Sequence, residues 1–347
     1  MKKSLLLLLI PLLFSCKEDV NHKPSFASVT ADTLLQDEIS IRALTIDGDK
    51  VWYAGSNGKY GFVSLSGGKA FNGVIARDTL FPEFRAIAKT SNDIFILNAG
   101  TPALLYKISE DGRRNKLVYT EEGERVFYDS MLFRNDKEGM AMGDPVNECL
   151  SVLTTNDGGN TWHKMPCLRL PDVSEGEAAF AASNTNLEII GDKVWLVSGG
   201  KKSRVFASED KGQTWEVYDT PIVQKYESTG IFSVDFYDAE VGFAVGGDFT
   251  NAKSNKANKM LTEDGGRTWE LMADGKGFGY ASCVQFVPGS NANELVTVGP
   301  SGIYYSYDRG ATWKKVYDDK SLHTIRFIDN KTAIAAGNNL IVRLRLN

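Results

Sequence analysis

Histidine is scarce in this chain: His22, His163 and His323 are the only three in 347 residues, and they lie far apart. An imidazole-based zinc site therefore has no cluster to start from, and no metal is expected. The patterns His-Glu-x-x-His, Cys-x-x-Cys and Gly-x-Ser-x-Gly are also missing. Gly277-Phe278-Gly279 is only part of a dinucleotide-binding fingerprint and falls in a turn, so no cofactor is expected. Positive charge is not in excess. Lys and Arg number 39 against 44 Asp and Glu, a net charge of −5, and no basic stripe runs through the chain. That balance argues against a nucleic-acid partner. Proline is modest at 10 residues while glycine reaches 33, which suits many tight turns and few helices.

Only the first residues form a long apolar run. Lys2 and Lys3 precede Leu5 to Leu13, a run interrupted by Pro11 and too short for a permanent membrane helix. It reads as a secretory leader. The run ends Leu13-Phe14-Ser15-Cys16, which resembles a bacterial lipobox, although Phe14 departs from the usual small or β-branched residue. The resemblance implies a signal peptide over 1–15, lipidation of Cys16 and a tether over 16–25. Lys17, Glu18 and Asp19 look like an acidic export tag toward the outer face of an outer membrane. The expected address is exported and lipid-anchored to the outer membrane, with exposure on the cell surface left open and the chain a monomer. No later stretch is long enough to cross a bilayer.

One pattern, Ser/Thr-x-Asp-x-Gly-x-Thr-Trp, occurs four times: Thr155 to Trp162 with Asp157, Ser208 to Trp215 with Asp210, Thr262 to Trp269 with Asp264, and Ser306 to Trp313 with Asp308. Five fixed positions recurring at that frequency are not chance. The chemistry is that of a β-hairpin turn, in which Asp accepts turn amides, Gly supplies positive φ and Trp packs beneath. A weaker unit occurs seven times. An apolar strand runs into a glycine at Gly55, Gly100, Gly143, Gly199, Gly246, Gly299 and Gly337, at intervals of 38 to 56 residues. Another short strand precedes each, beginning near Ile41, Phe84, Phe127, Ala178, Ile231, Ala281 and Leu322. Repeats of that length are four-stranded propeller blades. The expected fold is all-β over residues 26–347: a seven-bladed β-propeller with Asp-box hairpins. An N-terminal strand near Phe26 to Thr30 completes the last blade and hides its edge. Ser109-Glu110-Asp111-Gly112 is a decayed box in the second unit.

Cys149 and Cys167 sit nine residues either side of Gly158, the middle of one hairpin turn. Strand pairing puts them opposite each other, at a span a disulfide bridges. Cys283, in an apolar strand, is expected to be an inert core thiol.

The four boxes make the chain resemble the Asp-box, or BNR, propellers, which include sialidases. It is similar to the YCF48-like photosystem II assembly factors and to bacterial lipoproteins labelled "oxidoreductase". Met140 to Pro145, Gly176 to Thr185 and Ser228 to Ser233 carry the likeness to that last set. The resemblance implies that the box residues are structural and lie opposite the binding face. It also supplies the oxidoreductase label, which no residue pattern here supports.

Propeller geometry places a site at the channel mouth. Aligning the innermost strands puts Arg42, Arg85, Asp129, Phe232, Ser282 and His323 at one level, with Glu177 just above. Two arginines facing Asp129 and Glu177 either grip a carboxylate, phosphate or sugar, or simply neutralise those acids across the channel. Phe84-Arg85-Ala86-Ile87 resembles the Phe-Arg-Ile-Pro segment of sialidases without its proline, and Tyr226 and Tyr280 are the tyrosines nearby. Two rim loops, 168–177 and 248–259, are candidate binding elements, and Lys201, Lys202 and Arg204 form a basic spot on the same rim. Three functions remain open. The first is a binding or assembly module for a protein or glycan partner. The second is a sialidase-like glycoside hydrolase needing an acid–base pair. The third is an oxidoreductase.

Overall fold

The computed structural model describes residues 23–347, so the leader, Cys16 and the first part of the tether lie outside the described residues. Among the described residues the regular structure is β-strand, apart from short 3-10 turns at Ser56–Gly58, Cys167–Arg169 and Phe249–Asn251. Burial explains the strand pattern. In Lys50–Gly55 and Asp93–Asn98 every residue after the first is buried, because these second strands are covered on both faces. Outer strands such as Asn115–Glu121 and Lys314–Tyr317 are half-exposed and carry the charges.

The innermost strands stand in a ring. They are the Ile41 to Asp47 part of Val29–Asp47, then Phe84–Lys89, Tyr128–Phe133, Leu187–Ile190, Thr229–Phe236, Cys283–Phe286 and Leu322–Asp329. Each neighbours the next, and the last returns to the first. Three further antiparallel strands follow outward in a typical unit, as in Phe84–Lys89, Asp93–Asn98, Ala103–Ser109 and Asn115–Glu121. This is a β-propeller.

Seven separate blades were expected from the repeat, but the strands form six hydrogen-bonded sheets. The cause is the length of Val29–Asp47. Its first part pairs with Thr332–Leu346, from Val29 opposite Leu346 to Ser40 opposite Asn338. Its second part pairs with Lys50–Gly55, from Ile41 opposite Gly55 to Asp47 opposite Lys50. The first and last repeat units thus share one strand and become a single six-stranded sheet. The shared strand also buries the last edge, since an open edge invites pairing with other chains.

Box turns join neighbouring sheets. In the first box Asp157 Oδ1 accepts the amides of Asn160 and Thr161 at 2.9 and 3.0 Å, and Oδ2 accepts the Thr161 hydroxyl at 2.7 Å. Asp210, Asp264 and Asp308 accept Thr214, Thr268 and Thr312 in the same way. These bonds hold the Asp157 and Asp210 carboxyls down at about 2. The box glycine then lies flat on a side chain of the preceding unit. At Gly159, φ is +71° and an added Cβ would sit 2.2 Å from the Phe95 ring. At Gly310, φ is +85° and the Phe243 ring would be 2.4 Å away. The Trp follows: Trp162 packs edge-on to Phe133, and Trp313 meets Phe278 at 4.9 Å. Cys149 and Cys167 are joined, with Cα atoms 5.5 Å apart, and Cys283 is a buried free thiol.

Candidate functional site: the rim and the plugged channel

The channel is filled by its own chain. The fourth innermost strand was expected to begin near Ala178, but it is Leu187–Ile190. Residues 179–186, Ala-Phe-Ala-Ala-Ser-Asn-Thr-Asn, cross the channel instead. Small side chains let this backbone enter, and its polar groups satisfy the inward edges of the ring. Asn184 Oδ1 accepts the Met131 amide at 2.9 Å, while its Nδ2 donates to the Ile87 carbonyl at 2.9 Å. Ser183 Oγ donates to the Ser282 carbonyl at 2.6 Å, and the Val234 amide donates to the Thr185 carbonyl at 2.8 Å. Arg326 Nη2 donates to the Ser183 carbonyl at 3.0 Å. Alternating apolar residues would have kept this segment in a sheet; the run of small polar residues has no such period.

The plug decides what the two arginines do. Arg42 Nη1 donates to the Ala182 carbonyl at 3.0 Å, and Arg85 Nη1 to the Ala181 carbonyl at 3.3 Å. Arg85 Nε also meets Glu83 Oε1 at 3.3 Å. Among the described residues neither Nη2 has a hydrogen-bond partner, and Arg42 Nε is buried without one. Burial and the neighbouring Arg85 lower the Arg42 pKa. Tyr280 lies close to both arginines; burial still pushes its phenol up to about 12. His323, whose Nε2 is 3.1 Å from Asn338 Oδ1, is brought down to about 4 by burial and by Arg42. It is neutral at pH 7. Arg42, Arg85, Tyr280 and His323 therefore form one cationic group over the plug.

Of the two acids assigned to that group, Glu177 pairs elsewhere, and Asp129 lies near Arg85 without a hydrogen bond to it. Glu177 is 4 % exposed and is held by Arg204, whose Nε is 3.1 Å from both carboxylate oxygens. It also accepts the Ser198 hydroxyl at 2.5 Å and the Ser174 amide at 2.8 Å. This corrects two expectations. Glu177 does not face the channel arginines, and Arg204 is the counter-ion of a buried carboxylate rather than part of a solvated basic spot. Asp129 is fully buried, and neither of its oxygens has a hydrogen-bond partner. Burial and nearby Asp144 raise its pKa well above the usual range, against the pull of Arg85. Burial without a partner disfavours the charged form of Asp129, and Glu177 is bound to Arg204, so neither acid forms an ion pair with the channel arginines.

Beside the arginines lies an aromatic shelf that sequence reasoning assembled only in part. Phe180 from the plug stacks on Phe232 with centroids 3.9 Å apart, and Tyr280 meets Phe232 edge-on at 4.8 Å. Phe249, in the 248–259 loop, stands 6.0 Å from Phe232 and is 50 % exposed. Tyr226 is 68 % exposed and shares a cleft of about 460 Å³ with Phe249, Lys201, Lys225 and Glu227. Lys225 is held at φ +100°, a strained value for a side-chain-bearing residue. The aromatic spacing, one ring per loop, gave no local signal. A wider cleft of about 800 Å³ opens on the box side, where the first unit has no box. There Lys50 is already engaged, by Glu110 at 3.3 Å and by the Phe62 ring at 5.0 Å. Among the described residues no group of three or more His, Cys, Asp or Glu is placed to hold a metal. Likewise no helix among them is long and apolar enough to cross a membrane.

The comparisons agree with this architecture. The BNR/Asp-box repeat family matches residues 304–315, the last box. The chain is a β-propeller carrying Asp-box repeats. No curated protein matches it. Among solved structures it is similar to "YCF48 bound to D1 peptide", at 15 % identity over 93 % of this chain and 98 % of that one, with a TM-score of 0.66. YCF48 from Cyanidioschyzon merolae is 12 % identical over 92 % and 99 %, with a TM-score of 0.63. The GH74 xyloglucanase from Xanthomonas campestris is 12 % identical, over 92 % of this chain but 54 % of that one, with a TM-score of 0.61. At such identities the likeness is one of fold.

Proposed function

We propose that this propeller is an exported, lipid-anchored binding module that holds a protein partner, through a peptide segment, on the rim opposite the Asp boxes. The observation that carries this reading is the exposed aromatic pair Phe249 and Tyr226, set beside a fixed arginine pair with unused donors. Rigid aromatic anchors next to charge-assisted donors are what protein interfaces use for their strongest contacts. A propeller of similar fold has been solved with a peptide bound, which supports a peptide as the partner's chemistry. The anchor rests on Cys16 at the end of the leader, with residues 16–25 as tether, 26–347 as propeller and a monomer as the working unit.

A glycan partner remains compatible with aromatic shelves, but hydrolysis needs two accessible carboxyl groups flanking a bond. Asp129 and Glu177 are both buried, and Glu177 is bound to Arg204. The binding reading is therefore preferred to the glycosidase, and nothing in the described residues favours an oxidoreductase. The test is a double substitution, Tyr226→Ala with Phe249→Ala, in the cell that makes the protein. Partner recovery after crosslinking should fall at least tenfold with the melting temperature unchanged. Unaltered recovery, or turnover of fluorogenic glycosides lost in Asp129→Asn, would overturn the reading.

A further inference from the structure

The chain enters the propeller at a defined place. Ser25 donates its amide to the Tyr305 hydroxyl at 3.0 Å, and its own hydroxyl bonds to Glu294. Phe26 packs on the Tyr305 ring with centroids 3.9 Å apart. The amides of Ala27 and Ser28 both donate to the Asn347 carbonyl, at 2.8 and 3.1 Å, and Val29 pairs with Leu346. All of these partners lie at the Asp-box end of the ring. Leu295 pairs with Ser306, the first residue of a box, which puts Glu294 beside that turn. The Leu346 amide donates to the Lys331 carbonyl, in the turn that closes the last innermost strand on the same side.

Residues 17–24 span about 30 Å at full extension. A strand of six residues already makes a wall of about 20 Å. A tether that had to climb that wall would have little length left to reach a bilayer, whereas one leaving the box side reaches it directly. The two ends of the propeller also differ in surface chemistry. On the box side, charges are paired between successive units: Lys211 with Glu138 at 3.4 Å, Arg267 with Glu209 at 2.9 Å and Arg309 with Glu263 at 2.7 Å. The most exposed large apolar side chains stand at the rim, among them Leu168, Tyr226, Phe81 and Phe249, each half exposed or more, whereas Tyr307 and Ile328 on the box side are 37 and 40 % exposed.

We infer that the Asp-box face is the membrane-facing side of this molecule, held toward a lipid surface by the tether, and that the aromatic rim points away from it. This rests on the lipid anchor proposed above. The box face presents charged and hydrogen-bonded polar groups, so it lies near the headgroups without inserting, and the rim is left free for a partner.

The experiment measures distance from the bilayer at both ends. The added thiols of Lys137→Cys, in a box-side turn, and Glu175→Cys, in a rim loop, can be labelled selectively, because Cys149 and Cys167 are bonded and Cys283 is buried. Full-length protein recovered from membranes is placed in phosphatidylcholine–phosphatidylglycerol vesicles containing headgroup-quencher lipid. Quenching at position 137 should exceed that at 175 by about threefold or more. Equal or reversed quenching would overturn the orientation. In a second arm, a chain beginning at Lys17 with an N-terminal hexahistidine is bound to nickel-chelating lipid; it should give the same order. If Cys16→Ala leaves the full-length protein floating with membranes as before, the anchor fails, and the second arm alone judges the orientation.

Discussion

Arg42 donates through Nη1 to the carbonyl of Ala182, 140 residues further along the chain, at 3.0 Å. The bond ties the first innermost strand to the plug and leaves Nη2 without a hydrogen-bond partner among the described residues. The group that would hold a partner is thus also part of what closes the channel.

The plug should therefore be a stability element. Asn184→Ala removes the partners of the Met131 amide and the Ile87 carbonyl, both buried. Unpaired buried groups of this kind cost about 1–3 kcal/mol each, so unfolding in denaturant should lose about 2–6 kcal/mol. Asn184 also sits at φ +60°, which Asn tolerates better than Ala. Asn184→Gly relieves the backbone and still loses both bonds, so it should recover only a minor part of the loss.

Box glycines should differ sharply from ordinary turn glycines. Gly310→Ala brings a Cβ to 2.4 Å from the Phe243 ring at φ +85°, and should cost about 2–4 kcal/mol in thermal or denaturant unfolding. Gly289 has φ +73° with nothing within 4 Å of the added carbon. Gly289→Ala should cost only the backbone strain, about 1 kcal/mol.

Lys259 gives a pH signature. It is fully buried, with Nζ bonded to Asn258 Oδ1 at 2.7 Å and the Lys276 carbonyl at 2.9 Å, and burial brings its pKa down from 10.5 to about 8. Between those values the unfolded chain binds more protons than the folded one, so this group makes stability rise with pH. Below 8 both states hold the proton and the slope vanishes. Lys259→Met should flatten unfolding free energy against pH over that window.

The Cys149–Cys167 bond closes an 18-residue separation. Cys149→Ser with Cys167→Ser should lower stability by about 3 kcal/mol on the chain-entropy scale. The rim cleft around Tyr226 and Phe249 should be unaffected.

Much of the fold was legible because the box imposes side-chain identity at fixed spacing: Asp157 needs Thr161, and Gly159 needs the Phe95 surface. The seven glycine-ended strands are legible for a similar reason, being buried on both faces. Sheet number was not legible, since Val29–Asp47 shows no break between its two pairings. The plug was hidden too. Ala179 to Asn186 lacks periodicity, and only the long 56-residue interval before Gly199 marked an insertion. At the site, alignment of the innermost strands brought Arg42, Arg85 and His323 together. It could not foresee that Arg204, at the start of the strand Arg204–Ser208, holds Glu177.

The central claim is that the rim, not the box face, meets the partner. Its most direct measurement is site-specific photocrosslinking in intact cells, from position 226 or 249 on the rim and from position 137 on the box side. The rim positions should give one discrete adduct that disappears when Arg42 and Arg85 are both changed to Lys, while position 137 gives none. A discrete adduct from position 137, with nothing from 226 or 249, would contradict it.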